Sequence, residues 1–571
     1  MLLDGILSNT LKIGVVSSIN AQLVKTNLAH AGNVSGHYVG KNRYGKGEVG
    51  ELVLIEGQQS ILLGRITEVS LPDRDRSEIA QDFSGVDQID AIGFIRLLGS
   101  INPHTLKIAA GVSSYPRLGD RVYSAPGTFV SQIPLLISSG VDGKAPRVSL
   151  DLGHVSGDTG FPISVTPEKL FGRHCAILGS TGGGKSWTTS KLIQECRKFS
   201  SKVVLIDATG EYRSLNGADI AHCHLGEPVH RNQESIEISI PPTSFTEADF
   251  IALFQPSGKT QGPKLREAIK SLRLVSLAPD LFPNGIVPKV NQAKKTYREA
   301  MRRDNNASLV GKPSQPFDPK HLVRQVVQEC CFPDGGADRL DRWGGASNEL
   351  SYCSSLMTRI MSVMESHSLS CVFSADTNLP GIVKQLDYFL AGKKRLLRVC
   401  LSSIGYEFNA REVIANAIGR LLLQHARNGS FQKKPLIVML DEAHNFLGKT
   451  LGTEDDMQTL DAFELIAKEG RKYGLNICLA TQRPRDITEG VLSQMGTLLV
   501  HRLTNDRDRE VVERACGEID KSSAAFLPNL KQGEVAMVGV DFPIPVTIQI
   551  GRPSQPPISD GPSYQDMWLS E

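Results

Sequence analysis

Apolar and polar positions change rhythm along the chain. Up to about residue 140 the apolar positions come in short runs: Leu11–Val16, Gly50–Glu56, Gln59–Val69, Ala91–Leu98 and Arg121–Tyr123. Turn-rich pieces such as Gly32-Asn33 and Gly45-Lys46-Gly47 separate them. Short β-prone runs punctuated this way predict a small all-β barrel or sandwich, of the kind that serves docking or assembly. Asp73-Arg74-Asp75-Arg76 predicts a solvated loop. A Gly- and Pro-punctuated connector follows, from about 141 to 172.

Beyond it the pattern is α/β. The buried run Cys175–Leu178 predicts a strand, Trp187–Lys198 a helix with Leu192, Ile193 and Cys196 on one face, and Lys202–Asp207 a second strand. From about 243 to 392 helical periodicity dominates, in Glu247–Leu253, Pro263–Leu274, Lys320–Glu329 and Leu350–Glu365. Alternation then resumes with strands Leu396–Leu401, Leu436–Leu440, Leu475–Ala480 and Thr497–Leu503, and the amphipathic helix Val413–Ala426. Closing strands at Gly533–Val540 and Val546–Gly551 precede a Pro- and Ser-rich tail from Arg552, which reads as an extended arm.

Two stretches carry chemistry. Gly179, Ser180, Thr181, Gly182, Gly183, Gly184, Lys185 and Ser186 fill G-x-x-x-x-G-K-[S/T] between a strand and a helix, the context that distinguishes a P-loop from a chance match. Its glycines let backbone N–H groups turn inward on phosphates. Lys185 supplies a cation to the β- and γ-phosphates, and Ser186 a hydroxyl ligand for Mg²⁺. Trp187, opening the helix aimed at the same charge, belongs to the binding set. The second stretch is the apolar strand Leu436–Leu440, which delivers Asp441 and Glu442 to its carboxyl end. Asp441 is placed to hold the Mg²⁺ shell and Glu442 to polarise the water attacking the γ-phosphate, a Walker B arrangement that predicts hydrolysis of ATP.

Other residues keep two readings open. Asp207 and Glu211 follow a strand tip where ligands of parallel sheets bind, or are a cap and a surface acid. Gln482, at the tip of the strand ending Ala480-Thr481, is placed to bond the γ-phosphate and report its loss. Arg471 is either a charge satisfying a helix C-terminus or an arginine finger. The basic residues of the helical stretch, Lys259, Lys264, Arg266, Lys294, Lys295, Arg302 and Arg303, either track a phosphate backbone or form solvated helix faces.

The bulk numbers narrow little. With 571 residues there is material for two or three domains, and 22% charged residues is ordinary for a globular protein. A net charge of +2 leaves any basic stripe to be local. Ten cysteines without regular spacing suggest a reducing compartment, and His222-Cys223-His224 lacks the paired C-x-x-C of a structural zinc site. No apolar run reaches membrane-spanning length, and Met1–Gly5 lacks a positive signal-peptide start, so a cytoplasmic protein without membrane association is expected.

Together the motifs resemble the HerA-like hexameric ATPases of the HerA/FtsK group of DNA translocases. The resemblance rests on Gly179–Ser186, Asp207–Tyr212, Leu440-Asp441-Glu442-Ala443-His444, Glu469–Gly474 and Thr481-Gln482-Arg483-Pro484, in that order. It implies an α/β fold, a RecA-like P-loop ATPase core with a helical insertion behind a small all-β barrel. The segments would be a barrel at 1–140, core at 141–242 and 393–551, the insertion at 243–392 and the arm at 552–571. It further implies a homo-hexamer with ATP and Mg²⁺ between subunits, double-stranded DNA through the pore, Arg471 acting in trans, Gln482 as sensor, and an arm bracing the adjacent subunit. Family members work beside an effector enzyme, a nuclease or, in antiphage systems, a sirtuin-like protein. Two functions are thus in view: an ATP-driven DNA translocase, or an ATP-binding assembly platform that activates a partner.

Overall fold

Strand β1 (Lys12–Ile19) opens an antiparallel barrel with β2 (Leu23–Leu28), β3 (Leu52–Glu56), β4 (Ile61–Ser70), β5 (Ala91–Ile101) and β6 (Arg121–Ser124). The order β2-β1-β6-β3-β4-β5 closes on itself through β5–β2 pairing, which leaves these six strands without a free edge. Val16, Val24, Leu28, Val53, Ile66 and Ile95 fill the interior. The sequence pattern predicts five of the six strands. β2 escapes it because an inward position is polar: Thr26 is fully buried, and its hydroxyl donates to the Gly93 carbonyl at 3.1 Å.

The computed structural model describes residues 6–569 apart from 22, 29–36, 40–41, 45–46, 71–90, 139–145, 157–159, 313–314, 338, 374–377, 452–456, 517–523 and 560–563. The predicted loops Gly32-Asn33, Gly45-Lys46 and Asp73–Arg76 lie outside the described residues. The chain forms two compact units. One comprises Met1–Phe199, Cys478–Arg485 and Glu489–Pro556; the other comprises Ser200–Ile477, Asp486–Thr488 and Pro557–Glu571.

After the barrel come β7 (Leu150–Val155), β8 (Pro162–Val165), β9 (Cys175–Leu178), α1 (Lys185–Arg197), β10 (Lys202–Asp207) and β11 (Ile220–His224). The helices α2 (Glu247–Phe254), α3 (Gly258–Leu277), α4 (Leu322–Glu329) and α5 (Ser354–Met364) follow. Then come β12 (Leu396–Cys400), α6 (Ala410–Arg427), β13 (Leu436–Leu440), α7 (Ala462–Glu469), β14 (Leu475–Thr481), β15 (Thr497–Val500), β16 (Glu534–Gly539) and β17 (Phe542–Ile550). The architecture is α/β, with inserted helices between β11 and β12 and an all-β barrel formed by the first six strands.

In the first unit the strand order is β8-β7-β17-β16-β15-β9-β14, with β9 parallel to both β14 and β15. The stretch read as a connector therefore contributes two strands, β7 and β8. Asp151, Gly153 and His154 break the apolar run that would announce them. The barrel meets this sheet through Arg65, whose Nη2 donates to the Pro545 carbonyl at 2.6 Å, and burial pushes the guanidinium down to about 10.

In the second unit β13, β10, β12 and β11 run parallel in that order, nearly every residue buried. Alternation along β11 turns His222 and His224 to one face and Cys223 to the other, so the three cannot converge on one ion. The helices between β11 and β12 have their own core of Leu274, Phe282, Val287, Ala300 and Val310. Its loops are tied by a buried polar network: Lys289 pairs with Glu329, which also accepts from Ser271 Oγ at 2.6 Å and Gln325 Nε2 at 2.9 Å. Four of the basic residues singled out here are paired internally, Lys264 with Glu349, Arg266 with Glu247, Lys294 with Asp334 and Arg303 with Asp280. Each of these four charges is thus matched by a carboxylate of the same unit.

Candidate functional site

The glycine-rich loop predicted to bind phosphate lies in the first unit. β9 is apolar throughout and ends at Gly179; α1 begins at Lys185 with Gly184 as its N-cap in the left-handed region, φ +107°. A Cβ on Gly179 would sit 2.5 Å from His501 Cβ, and one on Gly184 3.2 Å from His501 Cε1. The loop must be glycine there because His501 fills the space behind it. Ser180 is fixed by its N–H and its hydroxyl, both donating to the Arg502 carbonyl at 3.1 and 3.0 Å. Lys185 Nζ donates to the Ser180 carbonyl at 3.1 Å, which holds the cation on the loop. Thr181 Oγ1 donates to Gln482 Oε1 at 2.6 Å, so the residue read as a sensor already touches the P-loop.

His501 had no signal in the sequence; it follows β15, more than three hundred residues from the loop it supports. Its Nε2 is hydrogen-bonded to Thr188 Oγ1 at 2.9 Å. Burial, with the Lys185 charge adding to it, pushes the imidazole down to about 3. An unfolded histidine titrates near 6.5. The stability secured by this neutral imidazole is therefore complete above pH 6.5 and lost progressively as pH falls towards 3. His501 is expected to remain neutral at pH 5, read by its imidazole NMR resonances; an ordinary midpoint between 6 and 7 would overturn this.

A cluster of carboxylates lies in the second unit. Asp441 follows β13, and its N–H donates to the Ile206 carbonyl at 3.2 Å. Tyr212 Oη donates to Asp441 Oδ1 at 3.4 Å, while the buried Oδ2 has no hydrogen-bond partner among the described residues. Burial pushes the Asp441 carboxyl well above the ordinary carboxylate range, and Asp207, Glu442 and Glu211 add to the rise. A crowded, buried carboxylate with an orphaned oxygen is a group that a divalent cation would relieve. Glu442 occupies the left-handed region, φ +46°, and its Oε2 lies 3.2 Å from His444 Nδ1. Glu211, on a 3₁₀ turn after β10, has a buried Oε2 with no partner among the described residues.

Asp207 is otherwise employed. Its Oδ1 accepts from Gly210 N at 2.7 Å, and its Oδ2 from Tyr212 N at 3.3 Å and from Arg398 Nε at 2.7 Å, with Arg398 Nη2 in ion-pair contact at 2.7 Å. Of the two readings, capping describes its bonds. Arg471 is exposed on the 3₁₀ turn Gly470–Tyr473, and among the described residues its side chain makes no ion pair.

The first unit thus holds a P-loop with Trp187 and Gln482, and the second unit, by itself, an acidic cluster of Glu211, Asp441 and Glu442. The family model described as "Helicase HerA, central domain" matches residues 150–313. The chain is 34% identical to the DNA double-strand break repair helicase HerA of Pyrococcus furiosus over 475 residues, 81% of this chain and 77% of the other. The chain belongs to the HerA family. A second HerA relative, the probable DNA double-strand break repair helicase of Methanocaldococcus jannaschii, is 23% identical over 71% of this chain and 76% of its own. The VirB4 structure of Thermoanaerobacter pseudethanolicus aligns with a TM-score of 0.43 at 16% identity, covering 75% of this chain and all of that one. As a HerA-family protein this is a nucleotide-binding P-loop ATPase, and among the described residues no helix is long and apolar enough to cross a membrane.

Proposed function

We propose that this HerA-family ATPase is an ATP-driven motor on double-stranded DNA, working as a homo-hexamer with hydrolysis at subunit interfaces. The observation that carries the reading is the carboxylate end of β13. A binding platform needs only a phosphate cradle, whereas here Asp441 is buried among acids and Glu442 is held in a strained backbone conformation beside His444.

In this reading the P-loop N–H groups and Lys185 hold the phosphates. Glu442 takes a proton from the attacking water, Gln482 senses the γ-phosphate, and the exposed Arg471 reaches a neighbouring subunit's nucleotide. Ser186 and Asp441, by their motif positions, would hold Mg²⁺, whose charge neutralises the phosphate oxygens when bound. Glu211, with its unpartnered oxygen, orients water in the same acidic cluster. An effector enzyme, a nuclease or a sirtuin-like protein, completes a system for DNA processing or antiphage defence, in a cytoplasmic setting.

The test is steady-state ATP hydrolysis with and without linear duplex DNA, alongside solution mass. A hexamer whose turnover rises several-fold on duplex is expected. A hexamer that hydrolyses ATP at the same rate with or without DNA would instead support the platform that activates a partner.

A further inference from the structure

Among the helices between β11 and β12, two pieces of chain form a lobe: the helix Lys295–Arg302 and the loop 332–345. Phe332 and the glycines that follow Trp343 close the base of the loop, Phe332 N donating to the Gly345 carbonyl at 3.0 Å and Gly344 N to the Phe332 carbonyl at 2.9 Å. The loop is pinned to the chain entering the helix. Lys294 N donates to the Asp341 carbonyl at 2.8 Å, and Trp343 N to the Gln292 carbonyl at 2.9 Å. Inside, the Tyr297 and Trp343 rings meet edge-on at 5.5 Å, with the Lys289 ammonium 5.3 and 5.6 Å from their centres.

The outside of the lobe is cationic. Lys295, Arg298 and Arg302 recur at i, i+3 and i+7, which sets them in one stripe along the helix, while Ala300 is buried. Gly335 brings in two more. Its N–H donates to the carbonyls of Arg339 and Arg342 at 3.2 and 3.1 Å, and a Cβ on it would lie 3.1 Å from both Arg339 Cβ and Arg342 Cγ. Glycine lets this turn close with both arginines against it. All five cations are exposed, and among the described residues none makes an ion pair. The neighbouring carboxylates are engaged by other cations: Asp334 by Lys294 at 2.7 Å, and Asp280 and Glu299 by Arg303 at 2.6 and 2.9 Å. Asp304 and Asp341 are the acids left among the described residues of the lobe, so its excess of positive charge is larger than the +2 of the whole chain.

This chemistry selects a polyanion. Four of the five cations are arginines, whose planar forks offer two parallel N–H groups to phosphate oxygens. The stripe from Lys295 to Arg302 runs about 10 Å, the length of about three successive phosphates on one strand of a duplex. A protein partner would instead need desolvated aromatic anchors. Here Tyr297 and Trp343 are turned inward, which leaves Phe332 and Leu340 as the exposed large apolar groups of the described lobe.

We propose that this lobe grips the phosphate backbone of double-stranded DNA through Lys295, Arg298, Arg302, Arg339 and Arg342, without reading sequence. The proposal rests on the duplex-DNA reading above and gives that partner a docking surface on the inserted helices.

Fluorescence anisotropy of the full chain, with two linear duplexes of unrelated sequence over a series of salt concentrations, tests it. Arg339→Gln/Arg342→Gln should weaken both duplexes about tenfold and make the slope of log K against log salt shallower by about 2. Adding Lys295→Gln, Arg298→Gln and Arg302→Gln should deepen both effects, with ATP turnover in the absence of DNA and the urea midpoint unchanged. Lys433→Gln/Lys434→Gln removes two exposed charges outside the lobe, just before β13, and should leave affinity and slope at wild-type values. An equal loss in that control would make the effect one of bulk charge and overturn the lobe. Wild-type affinity and slope in the five-residue variant would also overturn it, in favour of an acidic protein partner, and leave the motor reading standing. A wild-type protein that binds neither duplex would overturn both.

Discussion

Glu442→Gln should leave ATP binding near the wild-type level and lower steady-state turnover by about 10²–10⁴-fold, the range lost with a general base. The size follows from how the residue is presented. β13 is apolar and almost entirely buried, so the chain can place two carboxylates at its end without competing polar partners along the strand. Asp441 sinks into the acidic cluster, while Glu442 turns through φ +46°, a conformation that costs an L residue about 1 kcal/mol and is kept where the surroundings impose it. His444 Nδ1, 3.2 Å from Glu442 Oε2, limits where the carboxylate can point. Glutamine keeps the size and most of the hydrogen bonding but cannot take a proton from water, so fold and binding are preserved while chemistry stops. Glu442→Ala should lose turnover equally. Radiolabelled ATP binding and phosphate release on the same preparation decide it; near-normal turnover in Glu442→Gln would remove Glu442 as the base.

The legible parts of this chain are those in which function and local pattern coincide. A phosphate loop needs glycines at fixed offsets between a strand and a helix, and Gly179–Ser186 shows them in eight consecutive residues. The strand before Asp441 is legible for the same reason, since both of its faces are covered and it reads as one apolar run. Long-range support was not legible. His501 matters only because the fold returns it to the back of Gly179 and Gly184, and nothing near it in sequence marks that. β7 and β8 carry polar residues in short strands and read as a connector. The arm reads as extended, yet its first residues are pinned to α1 by Gln194 and Arg197, polar side chains that give no periodic signal. Arg398 could have been found. A lone cation in the middle of the apolar run Leu396–Cys400 cannot be buried without a partner, and the nearest strand ending in an acid was Lys202–Asp207.

That pair sets the largest stability effect expected here. Arg398→Met should destabilise the second unit by about 3–5 kcal/mol, the cost of leaving a buried charge uncompensated. Arg398 is 1% exposed and Asp207 is fully buried, and both guanidinium contacts fall on Asp207 Oδ2 at 2.7 Å. Methionine fills much of the same volume, so the loss is electrostatic rather than a cavity. It should also spread into the acidic cluster. The Asp207 oxygens hold the N–H groups of Gly210 and Tyr212, the turn that carries Glu211, and Tyr212 in turn bonds Asp441. The double variant Arg398→Met/Asp207→Asn removes both charges, keeps an acceptor for the turn, and should recover most of the lost stability. Urea unfolding followed by a probe in the second unit measures this. A loss below about 1 kcal/mol in Arg398→Met, the scale of an exposed pair, or no recovery in the double variant, would mean that the Asp207 charge is balanced by something other than Arg398.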